Sequence, residues 1–134
     1  MSAPQDLYQL AQEALPKAYA PYSNFKVACA IRTASGECFT ASNVENAAFP
    51  LSSCAEKNAI IHAVCAGHQQ ITEAVLLVNQ PEICPPCGGC RQCFKEFSAA
   101  NLNIHLCTTQ GQHQATTLQQ LLPHSFDLLQ EEKP

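Results

Sequence analysis

Cysteines 84, 87, 90 and 93 stand at three-residue intervals in the run CPPCGGCRQC, and another lies upstream in SSCAEKN. Cys87 and Cys90 follow Pro85-Pro86 into the first turn of an expected helix, where a spacing of three points both side chains the same way. That is chelate geometry. Cys54 stands at the expected start of a second helix and supplies a third thiolate, an anion that a helix N-terminus favours through its unpaired N–H groups. Three protein ligands with a fourth position left for water is the arrangement of a catalytic zinc ion. Glu56 follows Cys54 by two residues, too close to be a convenient second ligand but placed to reach that water. Zinc lowers the pKa of such a water towards ~7, and a nearby carboxylate can pass its proton to a leaving nitrogen.

Other readings of the same residues exist. Cys87 and Cys90 could belong to a structural zinc knuckle or a redox pair, and Cys84 is the candidate to close a structural site, although the double proline sends its backbone away from the helix. An iron–sulfur cluster is disfavoured because the run continues as CFKEF and lacks the terminal C-x₃-C-P. Cys84 and Cys93 are assigned to packing, and Cys29, Cys38, Cys65 and Cys107 to small core positions. The histidines are left as surface or helix residues.

The elements that must position this chemistry follow from periodicity. Apolar residues from Leu7 to Ala18 fall at helical spacing, so a helix is expected from Gln5 to about Ala18, ended by the proline of PYSNF. Phe25–Arg32 and Glu37–Ser42 read as a hairpin turning at Ser35-Gly36. SSCAEKNAIIHAVCAGH reads as a capped helix with Ser52 and Ser53 as N-caps and Gly67 past its end. ITEAVLLVN suits a buried central strand, CGGCRQCFKEFS restarts a helix, NLNIHLCTT gives another strand, and Thr117 to Leu122 a short last helix. The order αββαβαβ(α) indicates one α/β domain spanning residues 1–134, with a mixed sheet carrying helices on both faces.

Composition narrows the partners. A chain of 134 residues buries roughly 68% of the surface its unfolded form exposes, enough for a core without staples. Hydrophobic content of 46% against 13% charged is low in charge for a monomer, which points to an oligomer. No stretch approaches the ~18 apolar residues of a membrane span and no leader pattern is visible, so a cytosolic protein is expected. There thiols stay reduced, and nine cysteines read as ligands and core residues, not disulfides. The seven basic residues are scattered and the net charge is −4, which favours a small-molecule ligand over a polynucleotide.

CAE with PCGGC matches the pattern of zinc nucleobase deaminases, in the variant with three cysteine ligands. Over nearly its whole length, through APYSNFKVACAI, SNVENAAFPLSSCAEKNAI, PPCGGCRQCFKEF and LLPHSF, the chain resembles the small homotetrameric cytidine deaminases. The resemblance implies a three-layer α/β/α sandwich around a mixed five-stranded sheet. It also implies one Zn²⁺ per chain on Cys54, Cys87 and Cys90, with Glu56 as proton shuttle. Asn43 and Glu45 of NVEN would hold the ribose, Phe25 would flank the base, the backbone around Ala55 would read the pyrimidine, and Phe126 would enter a neighbouring subunit's site.

Four positions depart from the usual pattern of that family: Lys57 for arginine, Phe49 for tyrosine, Pro85 for serine and Asp127 for glycine. Lys57 keeps a cation beside the thiolates but loses the planar fork that can bridge two sulfurs. The expected activity is hydrolytic deamination of cytidine and deoxycytidine. The alternatives are deamination of a modified cytosine nucleoside and a non-catalytic zinc or thiol-redox module.

Overall fold

A computed structural model describes residues 3–128. The first helix, α1 (Gln5–Ala14), runs into a 3₁₀ turn at Leu15–Lys17. The helix therefore ends at Ala14, ahead of Pro16 and not at the proline of PYSNF, because Pro16 has no N–H to continue the ladder but fits the start of a tighter turn. Strands β1 (Val27–Thr33) and β2 (Cys38–Ser42) form the expected hairpin. Its turn places Gly36 at φ +91°, a left-handed conformation that glycine adopts without steric cost.

Helix α2 (Ala55–Cys65), strand β3 (Ile71–Val78), helix α3 (Gly88–Glu96) and strand β4 (Ser98–Thr108) follow. A strand not expected from periodicity comes next: β5 (His113–Thr117) pairs antiparallel with β4 before the short α4 (Leu118–Leu121). HQATT is polar and lies on an edge, so it carries no apolar alternation that would mark it as a strand.

The sheet order is β2-β1-β3-β4-β5, with β3 and β4 parallel and every other pair antiparallel. Successive residues of a strand face opposite sides, and the two faces carry separate cores. Leu7, Ala11, Ala14 and Leu15 pack on Ala28, Ala30, Val75 and Leu77. On the other side Ala55, Ala59, Ile60, Ala63 and Phe94 of α2 and α3 pack on Cys29, Ile31, Ala74, Leu76 and Ile104. The result is the expected three-layer α/β/α arrangement. No helix among the described residues is long and apolar enough to cross a membrane.

This topology dictates where the chemistry collects. Helix α2 leads into the start of β3, and α3 follows its end, so both helices run back along β3 and both begin at its C-terminal edge. Cavities in open α/β sheets lie at such edges.

Two assignments of minor residues change. Cys65 is exposed and not a core residue, and His105 on β4 is fully buried and not a surface residue. His105 Nε2 donates to Glu73 at 3.2 Å, and its Nδ1 lies 3.1 Å from His113 Nε2. Because a carboxylate only accepts, His105 carries a proton on Nε2. The chain continues from Glu73 to Arg32 at 3.8 Å and from Arg32 to Asp6 at 2.9 Å. Burial, and then the neighbouring His105, hold the His113 imidazole below its ordinary 6.5. A depressed base contributes stability that is present above pH 6.5 and lost as pH falls through its folded value. Thermal unfolding of wild type and His113→Gln compared from pH 8 to pH 5 should therefore show the wild type losing midpoint relative to the variant below about pH 6.5; a difference between the two that does not change with pH would exclude this pair as a source.

Candidate metal centre and active-site cleft

Cys54 is the N-cap of α2 and Cys87 the N-cap of α3, both with extended backbone, and Cys90 lies in the first turn of α3. Ser52 and Ser53 are not the caps. The Ser53 hydroxyl is turned instead onto Asn58 Oδ1 at 2.5 Å, and Asn58 Nδ2 donates onward to the Ser42 carbonyl at 2.9 Å. The three sulfurs of Cys54, Cys87 and Cys90 lie within 4.8 Å of one another. Cys54 and Cys87 are 3.9 Å apart, and a tetrahedral zinc with Zn–S of ~2.3 Å holds its sulfurs roughly 3.8 Å from one another. Distance, donor type and the placement of caps on two helices all fit Zn²⁺. Cys84 stands outside the cluster, its thiol directed to the Pro85 carbonyl at 3.6 Å.

The cluster takes its first negative charge at Cys54. The Cys90 thiol, then the Cys87 thiol and the Lys57 ammonium, hold Cys54 down to about 6 against partial burial. Cys90 keeps its proton well above the ordinary thiol value, chiefly because it donates to Cys54. Metal binding must displace such protons, so the site binds more tightly as pH rises.

Glu56 is 5% exposed. Burial, and to a lesser degree the Cys54 charge, push its carboxyl up to about 7, the range in which a group can both accept and release a proton. It lines an inner chamber of about 220 Å³ together with Asn43, Cys54, Ala55, Cys84 and Cys87. An outer groove of about 780 Å³ shares Asn43 and Cys54 with that chamber and adds Ser23, Glu45 and Phe49.

Asn43 and Glu45 flank Val44, whose backbone bridges to both Tyr19 and Ser53. The Asn43 amide is oriented by its own bonds: Oδ1 accepts from Val27 N at 3.0 Å and Nδ2 donates to the Phe25 carbonyl at 2.8 Å. One amide hydrogen remains for a ligand. Glu45 Oε1 accepts from the backbone N–H groups of Tyr22 and Ser23 at 3.0 and 3.2 Å, and the Ser23 hydroxyl donates to its Oε2. These bonds, the Ser23 hydroxyl first, keep Glu45 ionised below the usual carboxylate range.

The structure thus gathers Cys54, Cys87, Cys90, Glu56, Ala55, Asn43 and Glu45 around one cleft. Phe25 and Phe126 line neither cavity. Phe25 is half-buried, and Phe126 is 68% exposed. Lys57 is exposed beside the thiols, and Asp127 pairs with Lys95 at 3.3 Å. Cys84, assigned to packing from its sequence, lines the inner chamber. Ser23 and the Tyr22 amide, which grip Glu45, were not legible, because they lie 22 and 23 residues away and no periodicity links them.

A mixed α/β sheet bearing a three-thiol centre and a buried carboxyl at one strand edge defines a metal-dependent hydrolase. Residues 1–106 match the family model for the cytidine and deoxycytidylate deaminase zinc-binding region. The chain is 34% identical to the cytidine deaminase of Halalkalibacterium halodurans over 91% of its own length and 92% of that protein's. It is 35% identical to that of Mycoplasma genitalium over 86% and 88%. The crystal structure of cytidine deaminase from Burkholderia pseudomallei superposes with a TM-score of 0.88 at 37% identity, covering 93% of this chain and all of that one. The chain belongs to the zinc-dependent cytidine and deoxycytidylate deaminase family.

Replacing Cys54, Cys87 or Cys90 singly by serine should reduce bound zinc from one per chain to a small fraction, whereas Cys84→Ser should leave it at one; metal analysis of the purified proteins distinguishes the two groups.

Proposed function

We propose that the protein deaminates cytidine and deoxycytidine to uridine and deoxyuridine with release of ammonia. The observation that supports this reading best is the pair of cavities meeting at Asn43 and Cys54. The inner one suits a planar base facing Glu56 and the thiols; the outer one places Asn43 and Glu45 where a sugar would lie.

In this reading Cys54, Cys87 and Cys90 hold Zn²⁺, which supplies Lewis acidity and lowers the pKa of water towards ~7. Glu56 takes one proton from the attacking water and delivers it to the ring nitrogen beside C4. It takes the second and gives it to the exocyclic amine as the C4–N bond breaks, so ammonia leaves and the carboxylate is restored. Ala55 offers its backbone to the pyrimidine edge. Glu45 accepts from a ribose hydroxyl and Asn43 donates to one, the carboxylate's bond being charge-assisted. Lys57 offsets part of the negative charge of the centre.

Phe126 is offered to the groove of a neighbouring chain. Phe49, Leu51, Phe126 and Leu128 are 84%, 69%, 68% and 83% exposed, an apolar surface that the single chain leaves uncovered. A homotetramer covers it, with residues 1–134 acting as one domain in the cytoplasm; Phe25, which lines neither cavity of the single chain, would act near the base through its carbonyl, which orients the Asn43 amide. A modified cytosine nucleoside is the second reading, favoured by where two departures fall: Phe49 lines the outer groove and Pro85 the inner chamber.

Glu56→Gln should lower turnover of cytidine by about 10² to 10⁴-fold while one zinc per chain is retained. Equal activity in the variant would remove Glu56 as the shuttle, and an inactive, fully zinc-loaded wild type would move the search to modified cytosines or to a non-enzymatic role. Sedimentation should give a particle of four chains, and Phe126→Ala should raise KM for cytidine with the assembly intact; a monomer with full activity would end the shared-site reading.

A further inference from the structure

One side of α3 carries three side chains that the deamination chemistry does not use. Arg91 donates from Nε to the Pro86 carbonyl and from Nη1 to the Leu121 carbonyl, each at 2.7 Å. Gln92 Nε2 donates to the Phe126 carbonyl at 3.1 Å, and Lys95 pairs with Asp127 at 3.3 Å. Lys95 lies four residues from Arg91 and three from Gln92, both neighbouring spacings on a helix surface, so the three form one strip along which segment 121–127 is laid.

Arg91 differs from the other two in what it reaches. The Pro86 carbonyl belongs to the peptide that ends at the nitrogen of Cys87, and Pro86 is itself buried. The orientation of that peptide plane sets the direction in which the cap residue, and hence its sulfur, enters the cleft. A guanidinium presents several donors in a rigid plane, so one side chain holds both the peptide before Cys87 and the last turn of α4.

Resting on the reading of Cys87 as a zinc ligand, we propose that Arg91 is a positioning residue: it fixes the Pro86–Cys87 peptide and ties this metal loop to the C-terminal segment that presents Phe126. Groups that orient metal ligands without touching the metal commonly contribute a factor of ten to a hundred in affinity.

The test uses the zinc-loaded full-length protein and reads zinc transfer to a chromogenic chelator, alongside the thiolate-to-metal charge-transfer band of the cobalt-substituted form. Arg91→Gln should speed zinc release about tenfold or more and alter the cobalt band. Arg91→Lys keeps the charge but not the fork, and should fall between wild type and Gln. Lys95→Gln, which removes the ion pair with Asp127 and leaves the Arg91–Pro86 bond in place, should release zinc at the wild-type rate. Wild-type release from Arg91→Gln overturns the proposal, as does equal acceleration in Lys95→Gln, which would mark a general loosening of α3. Where Arg91→Gln fails to fold, Arg91→Lys against Lys95→Gln makes the same comparison. A wild-type protein that binds no stoichiometric zinc would instead refute the ligand reading on which the proposal stands.

Discussion

Mutual repulsion among three sulfurs packed within 4.8 Å is the constraint that the rest of the site answers. Like charges ~4 Å apart at an effective dielectric of 20 repel by about 4 kcal/mol, so Cys90 keeps its proton in the metal-free chain and a third thiolate would require the charge of a bound ion. The backbone supplies the rest: two helix N-termini converge on the sulfurs, because the helices flanking β3 both begin at the same strand edge. Lys57 adds a side-chain charge that remains in solvent. Only Cys90 of the three is buried, so the centre faces the cleft and stays open to a small molecule.

The cleft is organised before any ligand arrives. Glu45 is held by two backbone amides and a hydroxyl, and Asn43 is held on both sides of its amide, by the Val27 N–H at the start of β1 and by the Phe25 carbonyl before it. Neither side chain has to be ordered on binding, which removes an entropic cost that long polar side chains otherwise incur. Glu56 is treated in the opposite way: burial withholds solvent from it, and the resulting shift readies it for proton traffic.

How much of this was legible depended on whether the signal was local. Cys54, Cys87, Cys90 and Glu56 announce themselves because helix starts have a grammar and metal ligands have a spacing, and Gly36 and Gly67 are legible as turns because a positive φ favours glycine. The end of α1 was misplaced because two prolines compete and only the nearer one acts. β5 was passed over because an exposed edge strand needs no apolar face. Buried His105 could not be foreseen, since its partners Glu73 and His113 arrive from other strands. The same holds for Arg91, whose second contact lies 30 residues away. Long-range polar pairing leaves no periodic trace.

The caps reveal a trade that the site makes with its own helices. The four-residue α4 has a complete capping box between Thr117 and Gln120, yet α2 and α3 have no side-chain cap hydrogen bond at all. Cysteine occupies the position where serine, threonine or aspartate would ordinarily stabilise a helix by about 1 kcal/mol. The two helices that matter most to the chemistry therefore begin less well secured than the one that matters least, and a drift toward serine at 54 or 87 would be rewarded in the stability of the metal-free chain. Serine at 54 or 87 would add a cap and remove a sulfur, so the demands of the helix and of a metal centre on those two positions point in opposite directions.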